Sequence, residues 1–152
     1  MMESKIIRIT KEFKFEAAHA LKDYDGLCKN IHGHSYEFKV TIAGRPITDK
    51  NSPKLGMVMD FGDLKKIVRE EIVDKFDHSL VLYNLMPQKL IQQLKGQFER
   101  IIITDYNPTS ERMLIDFADR IKKRLPENII LKYMLLRETV TSYAEWYADD
   151  QE

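Results

Sequence analysis

"HSYEFKVTIAG", residues 34 to 44, decides the fold. Tyr36, Phe38, Val40 and Ile42 recur at every second position, so an extended segment here has one apolar face. Gly44 and Pro46 close it. Upstream, "IIRITKEFKFEA" (6–17) alternates after Thr10, placing Phe13, Phe15 and Ala17 on one side, and His19 continues that parity. The two segments read as antiparallel strands joined by a loop that holds Cys28, the single cysteine of the chain.

Downstream, a turn-rich stretch (45–54) leads into "LGMVMDF" (55–61), which reads as a short strand. "DFGDLKKIVREEIVDKF" then changes to helical spacing, with Phe61, Leu64, Ile67, Val68 and Ile72 on one stripe and Asp60 as N-cap, a helix to about Phe76. Between His78 and Gln97 the apolar residues keep no clean period, and "ERIIITDYNP" contains a β-branched run that suits a short strand or an anchored loop. "PTSERMLIDFADRIKKRL" is a second helix, capped at Thr109 or Ser110, with Met113, Leu114, Phe117, Ile121 and Leu125 on one face and Pro126 as stop. "NIILKYMLLRETVTSYAEWY" reads as two strands with a break near Thr141. Strands that bracket the helices predict an α+β domain, an antiparallel sheet with both helices on one face.

The 152 residues fit a single domain, 1–152, large enough to bury a core without staples. Lysine plus arginine and aspartate plus glutamate number 24 each, so no global field draws the chain to nucleic acid or an anionic membrane. No apolar run approaches the roughly 20 residues of a membrane helix. One cysteine cannot form an internal disulfide, and "MMESKIIRIT" lacks a secretory pattern, so the expected compartment is the reducing cytoplasm.

Three of the four histidines surround that cysteine. In a strand His32 and His34 project to one face, and Gly33 between them adds no side chain that crowds a bound ion. If the strands pair, His19 approaches the same point, giving three nitrogens with an open fourth position, the pattern of a catalytic zinc site. A His-x-His pair alone is more often decoration; His19 at matching parity tips the balance toward metal. Cys28 is either a fourth ligand, which makes the site structural, or a group standing beside a substrate, and spacing does not choose between them. Asp77-His78 is either a proton relay, the carboxylate fixing the imidazole tautomer, or a polar turn at a helix end. Glu138 shares parity with the apolar Met134 and Leu136, so its carboxylate needs a partner.

"FEAAH" (15–19), "CKNIHGH" (28–34), "GMVMDFGDLK" (56–65), "DHSLV" (77–81), "NPTSE" (107–111) and "RET" (137–139) together resemble the 6-pyruvoyltetrahydropterin synthase and 6-carboxytetrahydropterin synthase family, in its motif order and over nearly the whole chain. The resemblance implies a tunnelling fold: a four-stranded antiparallel sheet with two helices on one face, assembling as a barrel-forming trimer and then as a hexamer of two trimers. It implies zinc on His19, His32 and His34, Cys28 as the proton-abstracting base and Asp77-His78 as the relay. Glu138 then anchors the pterin ring, with Thr109 and Ser110 nearby, in a site between subunits. The implied substrate is 7,8-dihydroneopterin triphosphate. The three-residue gap from Cys28 to His32 resembles the bacterial carboxy-forming branch of queuosine biosynthesis, whose reaction releases acetaldehyde and triphosphate. The pyruvoyl-forming reaction is the alternative, and a non-catalytic zinc module with Cys28 as fourth ligand is the rival of another class. Two departures stand out: a long segment from Leu85 to Asp105, and Arg137 where lysine is common.

Overall fold

The computed structural model describes residues 5–152; residues 1–4, the beginning of the segment read as lacking a secretory signal, lie outside the described residues. Strand β1 (Ile7–His19) and strand β2 (His32–Gly44) form a long antiparallel hairpin in which Phe13 faces Phe38, Phe15 faces Tyr36 and His19 faces His32. The alternation read from sequence is the burial pattern: Phe13, Phe15, Ala17 and His19 are buried on β1, and Tyr36, Phe38, Val40 and Ile42 on β2.

Asp60 caps helix α1 (Phe61–Val68) by accepting from Gly62 N–H at 2.8 Å. The helix runs on through a π turn (Arg69–Val73) into α2 (Asp74–Phe76). Arg120 donates to the Glu71 carbonyl of that turn at 3.3 Å, and Arg124 binds the Glu70 and Glu71 carboxylates at 3.0 and 2.7 Å. Strand β3 (Ser79–Tyr83), helix α3 (Gln88–Gln97) and strand β4 (Ile101–Thr104) follow, then helix α4 (Ser110–Lys122) and the hairpin of β5 (Ile130–Thr139) and β6 (Ser142–Tyr147). Phe117 of α4 meets Phe15, Phe38 and Phe76 edge-on, with centroids 6.4, 5.3 and 5.0 Å away, and closes the core between helices and sheet. None of the described helices is long and apolar enough to cross a membrane.

Four expectations need correction. The sheet has six strands, in the order β4-β3-β1-β2-β5-β6, rather than four. It is mixed: β3 runs parallel to β1 over Ala17–His19, and β4 runs parallel to β3. The segment Leu85 to Asp105 therefore holds a crossover, helix α3 and then β4, and a third helix joins the two expected ones. "LGMVMDF" is not a strand. Gly56 takes φ +86, and single bonds from Gly56 N–H to the Ile47 carbonyl and from Ile47 N–H to the Met57 carbonyl tie a turn down while Val58 still packs in the core. Because β3 pairs with β1 at only three positions, the outer side of β1 from Ile7 to Glu16 has no strand partner among the described residues.

Candidate metal centre and active site

His19 stands at the end of β1 and His32 opposite it at the start of β2, and His34 lies two residues farther along the same face. One ligand atom from each lies within 4.8 Å of the others, and among the described residues this is the cluster able to hold a metal ion. His19 Nδ1 is 2.7 Å from the Pro108 carbonyl, and His32 Nδ1 is 2.7 Å from the Asn30 carbonyl. A carbonyl only accepts, so each Nδ1 carries the proton and each Nε2 presents its lone pair. Those two Nε2 atoms are 3.0 Å apart. Two lone pairs facing each other repel, and an ion between them removes the repulsion: tetrahedral zinc with nitrogens at about 2.0–2.1 Å separates two ligands by about 3.3 Å. His34 Nε2 is buried with no hydrogen-bond partner among the described residues, an orphaned ring nitrogen that a third ligand would be. Burial holds both His19 and His34 below the ordinary histidine range, which keeps them neutral and available as ligands. The residues present therefore fit the zinc that the motifs imply.

Gly33 plays a smaller part than expected. It sits on the other face of the sheet, opposite Ala18, and a Cβ there would make ordinary contacts at 3.5 and 4.0 Å, so space around an ion does not require glycine.

Glu138, near the end of β5, points to the side of His34 as its parity predicts. Its Oε1 lies 3.6 Å from Nε2 of both His19 and His34 and accepts from Ser110 Oγ at 3.0 Å. Thr109 uses its hydroxyl as the α4 N-cap, accepting from Arg112 N–H at 3.2 Å. "NPTSE" is thus a device around the imidazoles: Asn107 accepts from Lys22 N–H at 3.1 Å, Pro108 orients His19, Thr109 starts the helix and Ser110 holds Glu138. Cys28 lies in a 3-10 turn (Leu27–Lys29), half-buried, and its carbonyl accepts from Leu21 N–H at 2.9 Å. It is not in the three-histidine cluster. Tyr36, which the motifs did not flag, is buried on the same face, its ring 5.4 Å from that of His34, and its hydroxyl has no partner.

Asp77 and His78 do form a pair, Oδ2 to Nδ1 at 3.0 Å. Backbone donation from Glu16 N–H pulls Asp77 below the usual carboxylate range. The pair does not join the histidine cluster. His78 borders a cavity completed by Glu16, Ala17, Ala18, Gly33, His34, Ser35 and Ser79, of which Glu16, Ala18, Gly33 and Ser35 hold the positions that alternate with the buried ones, on the opposite face of the sheet. Arg137 faces that way too: it reaches Glu37 at 3.5 Å, lies over the Tyr143 ring at 4.6 Å and donates to the Val140 carbonyl at 3.1 Å, which staples the β5–β6 hairpin behind Glu138.

Comparison with known proteins supports the same grouping. Residues 8–149 match the family model described as 6-pyruvoyl tetrahydropterin synthase. The 6-carboxy-5,6,7,8-tetrahydropterin synthase of Haemophilus influenzae is 33% identical over 143 residues, covering 93% of this chain and 99% of that one. The enzyme of that name from Rickettsia conorii is 29% identical, covering 92% and 99%. The structure of Caenorhabditis elegans 6-pyruvoyl tetrahydropterin synthase superposes with a TM-score of 0.67 at 25% identity, covering 97% of this chain and 99% of that one. The Plasmodium vivax 6-pyruvoyl tetrahydropterin synthase shares the fold, with a TM-score of 0.69 at 16% identity, covering 94% and 98%. Motif order, imidazole geometry and end-to-end similarity converge on one grouping, and the chain belongs to the 6-pyruvoyl tetrahydropterin synthase family.

Proposed function

We propose that the chain is a zinc-dependent 6-carboxytetrahydropterin synthase, converting 7,8-dihydroneopterin triphosphate and one water to 6-carboxy-5,6,7,8-tetrahydropterin with release of acetaldehyde and triphosphate. The observation that carries this reading is the trio His19, His32 and His34, two of whose Nε2 lone pairs are fixed toward one point by the Pro108 and Asn30 carbonyls. The bacterial relatives named for this product support the choice of reaction.

When bound, zinc supplies Lewis-acid polarisation of the substrate side-chain oxygens. The remaining work belongs to the chain. Glu138 accepts the N–H donors of the pterin edge in a charge-assisted contact, oriented by Ser110 at 3.0 Å, with the start of α4 at Thr109 forming the adjoining wall. Cys28 removes a proton from the side-chain carbon. Asp77 fixes the tautomer of His78, whose exposed ring moves the second proton. Since that pair stands on the other face of the sheet, its ring enters the site of a second copy. The open edges of β1 and β6 favour such assembly, and the hexamer of two trimers is its proposed form. A cytoplasmic setting suits the lone free cysteine.

The test is product analysis of zinc-loaded protein with dihydroneopterin triphosphate. Acetaldehyde is expected in step with triphosphate. Triphosphate without acetaldehyde would establish the pyruvoyl-forming reaction instead, and no turnover would leave the non-catalytic zinc module. Mixing Cys28→Ala with His78→Ala subunits tests the shared site: hybrids are expected to regain activity that neither variant has alone.

A further inference from the structure

Helix α2 hands over to β3 through Asp77 and His78, and His78 stands at φ +60, a left-handed backbone that residues other than glycine seldom hold. Contacts from two sides keep it there. His78 N–H donates to the Glu16 carbonyl, and Asp77 Oδ1 accepts from Glu16 N–H at 2.9 Å, so β1 pins the dipeptide on one side. On the other side, Arg100 Nη1 donates to two carbonyls at once, Asp74 at 2.6 Å and Asp77 at 3.0 Å. The arginine is itself held, because its carbonyl accepts from Leu80 N–H at 2.9 Å at the start of β3.

The His78 side chain is 75% exposed. Among the described residues the ring is little enclosed, so the backbone and the Asp77 carboxylate chiefly set where it points. We infer that Arg100 is the positioning residue of the Asp77-His78 pair, gripping the last helix carbonyls from the edge of the sheet and so fixing the direction in which the His78 ring leaves the surface. The inference rests on the relay reading above. It also gives the Leu85 to Asp105 segment a purpose, because that segment brings Arg100 back beside the helix end. Arg100 and the carbonyls it binds are near solvent, and water replaces lost hydrogen bonds there at small cost to stability. Direction is what water cannot restore, and small misplacements of a reacting group cost roughly tenfold to a hundredfold in rate.

The experiment uses the full chain, zinc-loaded, as Arg100→Ala. The expected result is kcat lower by roughly tenfold or more with KM and zinc content unchanged, and partial recovery in Arg100→Lys, whose single ammonium still reaches a carbonyl. Mixed assemblies give the readout that a merely structural role would not move: Arg100→Ala subunits are expected to regain turnover with Cys28→Ala partners, which supply an intact His78, and not with His78→Ala partners. Unchanged kcat in Arg100→Ala, or equal rescue by both partners, would overturn the inference while the relay stands. Full turnover in His78→Ala would remove the relay, and Arg100's role with it.

Discussion

Glu138→Gln is the substitution that most directly examines the pterin anchor. The side chain keeps its shape, and the amide oxygen can still accept from Ser110 Oγ, which now holds Oε1 at 3.0 Å. Oε2 is the atom left to receive a ligand donor, and in glutamine that position becomes an NH2. A donor then faces the pterin N–H, one charge-assisted bond is lost and its neighbour becomes a neutral one. Bonds to a charged partner contribute about 1.5–3 kcal/mol each, so a combined loss of about 3 kcal/mol is expected. At 1.4 kcal/mol per tenfold, kcat/KM with dihydroneopterin triphosphate should fall roughly 150-fold. Zinc per chain should stay the same, because the imidazole cluster closes without Glu138, whose Oε1 stands 3.6 Å from the nearest ring nitrogens. The assay pairs steady-state kinetics with elemental analysis of the same preparation. A kcat/KM within about threefold of the parent would refute the anchoring contact, since even one ordinary hydrogen bond exceeds that. Loss of zinc would recast Glu138 as a ligand.

Three further outcomes are expected. Cys28→Ala should retain zinc and lose turnover, whereas His34→Ala should lose zinc, as elemental analysis would record; a Cys28→Ala protein stripped of metal would restore the closed four-ligand site. In metal-free protein, burial holds His19 and His34 below their ordinary value of 6.5, so between the folded and unfolded values the unfolded chain binds more protons. Stability from this source is complete above that ordinary value and is lost as pH falls through the lower folded one, so thermal scans of chelated protein from about pH 7.5 to about pH 5 should show a falling Tm. Thr109→Ala removes the α4 cap and should cost about 1 kcal/mol. That is a Tm decrease of roughly 2–4 °C in a chain this size, read by calorimetry.

The parts of the fold legible in the sequence are those whose burial has a strong local period. β1 and β2 bury one face each, so alternation at Phe13, Phe15, Tyr36 and Phe38 specifies both the strands and their sides. Helix α4 announces itself by Thr109 and its stripe from Met113 to Ile121. Helix α3 does not, because it buries only Ile91, and β3 and β4 are short and pair in parallel, which leaves no turn signature between them. "LGMVMDF" misled because Val58 and Met59 pack against the core while the backbone turns and leaves Leu55, Met57 and Phe61 exposed. In the site, parity brought His19, His32, His34 and Glu138 to one face. The resemblance places Ser110 beside Glu138, whereas the Pro108 carbonyl and Arg100 escaped notice because each acts across tens of residues, His19 to Pro108 being 89 apart. The left-handed backbone at His78 is likewise encoded by no side-chain pattern.

The register of the β1–β2 hairpin also has a meaning in time. All three imidazoles lie on that hairpin, with His19 directly opposite His32, and its strands precede every α-helix in chain order. A metal ion can therefore be taken up by a nascent hairpin before the helices exist, and binding to the incomplete chain lessens what the same ion adds to the stability of the finished one. The carbonyl that orients His19 and the carboxylate that faces the trio arrive later, with Pro108 and Glu138. On the proposed metal reading, an ion would meet the hairpin first and the groups that shape its surroundings afterwards.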